Sequence, residues 1–257
     1  LFYYAKAFGE ERNDTTYTNA LHYLASATKI ITTVAVIQCV ERGQLRLDEN
    51  FAKVLPEQHL THSSGLAYVF LDPLLTRYAK LPIAEPRKPI SIKAKFYPFL
   101  VSEPGERWIY SPGVDWAGRM AWERAGDRLH VAAHTPWADP VNEDFGGSGL
   151  YSTVSEVLKI YQGILDGRLL RQDTVKTMFQ PQLKTTAGLD NQPDHSTSYR
   201  NAVYNSIPSD TPWIDLEKGV AGVYLSQLTP TGDEQAVKLL TEFEKFVYQS
   251  IEKLKDQ

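Results

Sequence analysis

The chain has 257 residues, enough for one large domain or two small ones. It is 42% hydrophobic and 23% charged with a formal net charge of -4, and no basic stripe is visible, which argues against nucleic acid as the main partner. Its single cysteine, Cys39, excludes an internal disulfide, so the fold does not need an oxidising compartment.

The longest apolar stretch, Ile30–Val40, is broken by Thr32, Thr33 and Gln38. It is too short to span a bilayer, so no membrane partner is expected. The chain opens on Leu1-Phe2-Tyr3-Tyr4, without Met and without a visible signal peptide. The expectation is a cytoplasmic protein whose native start lies upstream of Leu1.

Leu1–Phe8 reads as a strand closed by Gly9, with Glu10–Thr16 as a polar turn. Leu21–Ala25 leads into Ser26-Ala27-Thr28-Lys29, an S-x-x-K at the mouth of an apolar helix. Ile31, Val34, Ile37 and Val40 fall near helical spacing, and Glu41-Arg42-Gly43 ends the run with a glycine stop. Ser26 is therefore expected at the helix N-terminus, with Lys29 one turn on, over the same face. A helix N-terminus offers unpaired N–H groups and a partial positive charge. A hydroxyl there could attack a carbonyl while backbone N–H groups hold the oxyanion. A lysine serves as base only where burial or a neighbouring cation lowers its pKa. S-x-x-K is common by chance, so on this pattern alone Ser26 reads as a helix cap and Lys29 as a solvated first-turn lysine.

Leu45–Asp48 alternates briefly before Phe51–Pro56, and Thr61-His62-Ser63-Ser64-Gly65 follows. His62 is tempting as a base. Leu71–Tyr78 fits a helix, and Lys80–Pro98, rich in proline and lysine, reads as a loop or lid. Glu103-Pro104-Gly105-Glu106 is a turn and Trp108-Ile109-Tyr110 is extended. Ser111-Pro112 opens a helix over Gly113–Ala125, with serine as N-cap and proline at the first helical position. Tyr110 is thus fixed at a helix start, where its ring can project into a cleft. Asp115 falls in the first turn, where the helix dipole favours an acid.

Asp127–Asp144 has no clear period. Phe145–Tyr151 is a glycine-rich turn, and its Gly146-Gly147-Ser148-Gly149 lacks the following Lys-Ser/Thr of a phosphate loop. Thr153–Glu156 is a capping box for a helix ending near Asp166-Gly167. Asp173–Gln180 is a short helix stopped by Pro181, Leu183–Pro212 is polar and irregular, and Gly219–Leu225 reads as a strand. Val237, Leu240, Phe243, Val247, Ile251 and Leu254 mark an amphipathic helix from about Asp233. His134 and His195 read as solvated. No His/Cys/Asp/Glu group has metal spacing, so no metal and no cofactor are expected.

Taken in order, Ser26–Lys29, Leu45–Asp48, Leu60–Leu66, Tyr110-Ser111-Pro112, Phe145–Tyr151 and Trp213–Leu228 resemble the class C β-lactamase-like serine hydrolases. Ala25–Gly43 and Tyr68–Leu75 are especially similar to the fungal esterases and transesterases of statin-type polyketides, the lovastatin hydrolase and acyltransferase group. The resemblance implies an α+β fold of the β-lactamase/transpeptidase type. In it an antiparallel sheet flanked by helices lies beside a mostly helical subdomain, with the site in the cleft between. It implies one catalytic domain over 1–257, with about 49–180 including the helical subdomain and 1–25 and 213–257 the sheet and helix part.

The resemblance further implies an acyl-enzyme mechanism. Ser26 is the nucleophile, Lys29 activates it, and Tyr110 passes the proton to the leaving group; either Lys29 or Tyr110 is the base. The segment around His62 is structural in the family. The implied substrate is a small apolar ester, a polyketide or statin side-chain ester among them. Hydrolysis is the leading reading and acyl transfer from Ser26 to an alcohol is the alternative. An acyl-carrier partner enters only in the transfer case. Tyr68, Phe70, Phe145, Tyr151 and Trp213 either line an apolar substrate pocket or are ordinary core residues.

The chain departs from the family pattern in two places. Pro112 stands where the lactamase Tyr-x-Asn has its Asn, which removes an amide that contacts lactams and argues for an ester. Asn205–Thr211 carries no Lys/His-Thr/Ser-Gly or glycine-rich motif, so the second oxyanion N–H has no named residue. Glu57-Gln58-His59-Leu60 and Asp127-Arg128 read as joins between blocks that the family keeps apart, and the family's first helix and strand would lie before Leu1. Gaps are therefore expected near 58–60, 127–128 and 183–212, with Cα–Cα separations well above ~3.8 Å.

Overall fold

A computed structural model describes residues 20–48, 59–80, 92, 96, 99–125, 145–181, 187, 213–225 and 234–255. In chain order these form β1 (His22–Tyr23), α1 (Thr28–Glu41), α2 (Pro73–Ala79), α3 (Gly113–Ala125), β2 (Tyr151–Ser152), α4 (Val154–Leu165), α5 (Gln172–Met178), β3 (Trp213–Asp215), β4 (Val220–Gly222) and α6 (Glu234–Lys255). Short 3-10 turns at Ala25–Ala27 and Val69–Leu71 precede α1 and α2.

The core is built around α1. Ile30, Val34, Val36, Ile37 and Cys39 are buried, and so are Thr28, Lys29, Thr32 and Thr33. A helix buried on more than one face needs neighbours on each of them. The core joins α1 to Ala117, Met120 and Ala121 of α3, to Val157, Tyr161 and Ile164 of α4, to Val175 of α5 and to Ile214 of β3. Each buried Val, Ile or Met side chain among them contributes roughly 1.5–3 kcal/mol relative to exposure. Glycine lets α3 close on α1, since a Cβ at Gly118 would lie 2.9 Å from Thr32 Cγ2. After Glu41 the chain turns at Gly43 with φ +70, the glycine stop expected from sequence.

The described strands form two separate two-stranded antiparallel sheets. β1 pairs with β2, with Tyr23 opposite Tyr151 and their rings 5.1 Å apart. Leu24 N–H donates to Leu150 O (2.9 Å) and Leu150 N–H to Thr28 Oγ1 (3.2 Å), which ties the mouth of α1 to the glycine-rich turn. β3 pairs with β4, so the strand expected over Gly219–Leu225 is shorter and its partner at Trp213 was not read from sequence. Asp215 Oδ1 accepts the Glu217 and Lys218 N–H groups of the connecting turn, each at 3.0 Å. Tyr248 Oη of α6 donates to Asp215 Oδ2 at 2.9 Å and docks that helix on the sheet.

Local signals placed most helix starts. Asp72 Oδ1 accepts the Leu74 and Leu75 N–H groups, so α2 begins at Pro73, two residues after the expected Leu71. Ser111 Oγ accepts Gly113 N–H (3.3 Å), while Pro112 O accepts the Asp115 and Trp116 N–H groups. Pro112 therefore holds the cap position and α3 starts one residue later than read. Thr153 Oγ1 accepts Glu156 N–H (3.2 Å), but the Glu156 carboxylate pairs with Lys159 (2.6 Å), so only half of the capping box forms.

The readings over 1–19, 51–56, 127–144 and most of 80–98 and 183–212 lie outside the described residues, as do residue 58 of the join expected near 58–60 and the whole join at 127–128. Among the described residues no helix is long and apolar enough to cross a membrane.

Candidate active site

Ser26 sits in the 3-10 turn that opens α1, just after Ala25, whose φ is +43. A non-glycine residue there carries backbone strain, a feature that clusters at functional sites. Ser26 remains partly exposed, while Lys29 one turn on is 2% exposed. Lys29 Nζ donates to Ser26 Oγ at 3.2 Å and to Gly147 O at 2.7 Å. Tyr110, 84 residues further on, places its Oη 2.6 Å from Ser26 Oγ, and either hydroxyl can donate. Lys29 Nζ also lies 4.8 Å from the Tyr110 ring centroid and 5.6 Å from that of Tyr68. Ser26, Lys29 and Tyr110 thus meet.

Two segments carry Tyr110 to this point. Ile109 N–H donates to His62 O (2.9 Å) and Tyr68 N–H to Tyr110 O (3.4 Å). The Tyr110 ring packs between His62 (4.8 Å) and Tyr68 (5.0 Å). His62 Nδ1 accepts Ser111 N–H at 3.2 Å, and burial with the Lys29 charge lowers its pKa to about 3. The imidazole is therefore neutral at neutral pH, and its hydrogen bond goes to the backbone beside Tyr110. The His62 ring thus packs against the phenol ring.

The glycine-rich turn supplies the other wall. Thr32 Oγ1 donates to Gly146 O (2.7 Å), and Gly147 N–H donates to Asp115 Oδ1 (2.8 Å). A Cβ at Gly146 would lie 2.9 Å from Val114 O, and one at Gly147 only 2.3 Å from Asp115 Oδ2. Space, not backbone conformation, demands glycine here. Asp115 is fully buried. Tyr68 Oη donates to its Oδ2 at 3.5 Å; burial, and next the Asp115 carboxylate, hold the Tyr68 phenol well above its ordinary value. Burial likewise raises the Tyr23 phenol.

The other sequence-derived candidates scatter. Tyr68 packs on Tyr110 and on Phe96 (5.6 Å). Phe145 is buried against Phe96 (5.8 Å) in a small cluster with Ile92. Tyr151 is half-buried in β2 beside Tyr23. Trp213 is buried in β3, its ring 5.5 Å from Phe243 of α6 and closed over Gly222. The side chain of Phe70 lies outside the described residues. Sequence reading missed the Gly147 carbonyl as a partner of Lys29 and Asp115 as the partner of the Gly147 N–H. The signal available was an acid one turn into α3 together with a paired glycine.

A partly exposed hydroxyl within hydrogen-bond reach of an amine and a phenol is an arrangement that can serve nucleophilic chemistry. Among the described residues no group of three or more His, Cys, Asp or Glu side chains could hold a metal.

A family model described as Beta-lactamase matches residues 3–129. The lovastatin esterase of Penicillium rubens is 30% identical, over 80% of this chain and 70% of its own. The acyltransferase mokF of Monascus pilosus is also 30% identical, over 62% of this chain, which spans 57% of that relative's length. A mutant simvastatin synthase from Aspergillus terreus superposes with a TM-score of 0.74 at 24% identity, covering 92% of this chain and 82% of that one; the two share a fold. The chain belongs to the beta-lactamase family, with a fungal acyltransferase and a lovastatin esterase among its relatives.

Proposed function

We propose that the protein is a serine esterase working through an acyl-Ser26 intermediate. The observation that carries this reading is the position of Ser26 Oγ, 2.6 Å from Tyr110 Oη and 3.2 Å from Lys29 Nζ. The serine proton leaves along one of these two hydrogen bonds as Oγ attacks the ester carbonyl. Tyr110 returns a proton to the departing alkoxide, and water then releases the acid from Ser26. Whichever of Lys29 and Tyr110 takes the serine proton must first be unprotonated, and Gly147 O fixes Lys29 Nζ within reach of Ser26.

The substrate class is a small apolar ester of the statin side-chain type, supported by the lovastatin esterase relative. Tyr68, Tyr151 and Phe145 are the proposed apolar walls. At Pro112 no side-chain amide is available to hold a lactam, so nitrocefin should not turn over. The test of the reading is hydrolysis of p-nitrophenyl butyrate by the wild type and its loss in Ser26→Ala. Full activity in Ser26→Ala would overturn it.

Acyl transfer is the second reading, favoured by the relative named as an acyltransferase. It keeps the same three residues and replaces water by an alcohol, and an acyl-carrier partner would belong to it alone. Product analysis of a statin ester with and without an acceptor alcohol separates the two: free acid in both mixtures supports hydrolysis, ester exchange in the second supports transfer.

A further inference from the structure

We propose that Asp115 is a positioning residue for the Ser26–Lys29–Tyr110 group, an inference that rests on the esterase reading above. Asp115 is fully buried, and its carboxylate touches both supports of the group. Oδ1 takes the Gly147 N–H at 2.8 Å, and the carbonyl of the same residue takes Lys29 Nζ at 2.7 Å. Oδ2 takes the Tyr68 hydroxyl at 3.5 Å, and the Tyr68 ring lies 5.0 Å from the Tyr110 ring. Gly147 is therefore anchored from both sides. Release its N–H and the turn is free to rotate its carbonyl away from Lys29, which then loses the bond that aims Nζ at Ser26.

The fit is tight enough to be tested from either side. The carboxylate occupies the place a Gly147 side chain would need, with Oδ2 2.3 Å from an added Cβ. Gly147 has no positive φ, so alanine there is opposed by Asp115 and not by its backbone. Asparagine at 115 keeps an oxygen for Gly147 N–H and sets an amide against Tyr68 Oη, so it preserves the geometry while removing the charge. A positioning role predicts that geometry, and not charge, is what matters.

The experiment compares Asp115→Asn, Asp115→Ala and Gly147→Ala with wild type and Ser26→Ala, reading kcat and KM on p-nitrophenyl butyrate and the rate of fluorophosphonate labelling. Asp115→Ala and Gly147→Ala should lower kcat and labelling about 100-fold with KM within threefold, and Asp115→Asn should restore both to within tenfold of wild type. Asp115→Ala or Gly147→Ala within threefold of wild type overturns the proposal, and so does Asp115→Asn as slow as Asp115→Ala. Should Asp115→Ala fail to fold, Gly147→Ala and Asp115→Asn decide between the same outcomes. Wild type that neither labels at Ser26 nor turns over defeats the esterase reading; a labelled, active wild type with unaffected variants defeats only the role of Asp115.

Discussion

Tyr110→Phe isolates one atom of the proposed chemistry. The ring keeps its neighbours His62 and Tyr68 at 4.8 and 5.0 Å and stays 4.8 Å from Lys29 Nζ. Only Oη is lost, and with it the 2.6 Å bond to Ser26 Oγ. For folding, that is one partly buried neutral hydrogen bond, on the order of 0.5–1.5 kcal/mol. In a chain of this size each kcal/mol moves Tm by about 2–4 °C, so the expected drop is at most about 6 °C. For catalysis, removal of a positioned proton donor and acceptor costs about 10²–10⁴ in rate, roughly 3–5 kcal/mol of barrier. The barrier change therefore exceeds the stability change several-fold. The assay is kcat on p-nitrophenyl butyrate beside a thermal melt of the same preparation. A kcat within threefold of wild type would refute the role of the phenol. So would a melt more than 10 °C lower, because the activity loss would then follow from folding.

Other perturbations separate the remaining parts. Lys29→Met keeps the length of the side chain and removes the amine; kcat should fall about a thousandfold, and an active variant would show that the amine is dispensable. Trp213→Ala opens the contact between β3 and α6 and should cost about 3–5 kcal/mol in urea unfolding with KM unchanged; a tenfold rise in KM in a folded protein would instead put Trp213 in the substrate site. Burial lowers His62 to about 3 and His59 to about 4, both below the ordinary 6.5. The unfolded chain thus binds more protons below pH 6.5, so stability is present above that pH and is lost as the pH falls toward 4 and 3. At pH 5 the loss is about 2 kcal/mol for each ring, and a urea midpoint equal at pH 7.5 and pH 5 would contradict it.

Legibility in the sequence followed the range of each interaction. The Ser26–Lys29 spacing, the Asp72-Pro73 and Ser111-Pro112 starts and the Gly43 stop are local, and each reappears within two residues of its expected place. The face of α1 was harder to read. Ile31 and Val40 belong to the predicted stripe yet are only half-buried, whereas Ile30 and Val36 are at 1% and 0% exposure. A helix with burial on several sides has little periodicity to read. β3 and β4 are three residues each, too short for an alternating pattern, and their pairing is set by Trp213 closing over Gly222. Tyr110 was placed beside Ser26 only through the family resemblance, because an 84-residue separation leaves no local trace. Asp115 was read as a dipole-favoured acid, which is true of its turn but not of its partner: the Gly147 N–H lies 32 residues away.

The central claim is a covalent bond at Ser26. Wild-type protein treated with a fluorophosphonate, digested and mapped by mass spectrometry should carry the adduct on the peptide containing Ser26, and Ser26→Ala should carry none. An adduct on a different residue, or esterase activity that persists while Ser26 stays unmodified, would contradict the account.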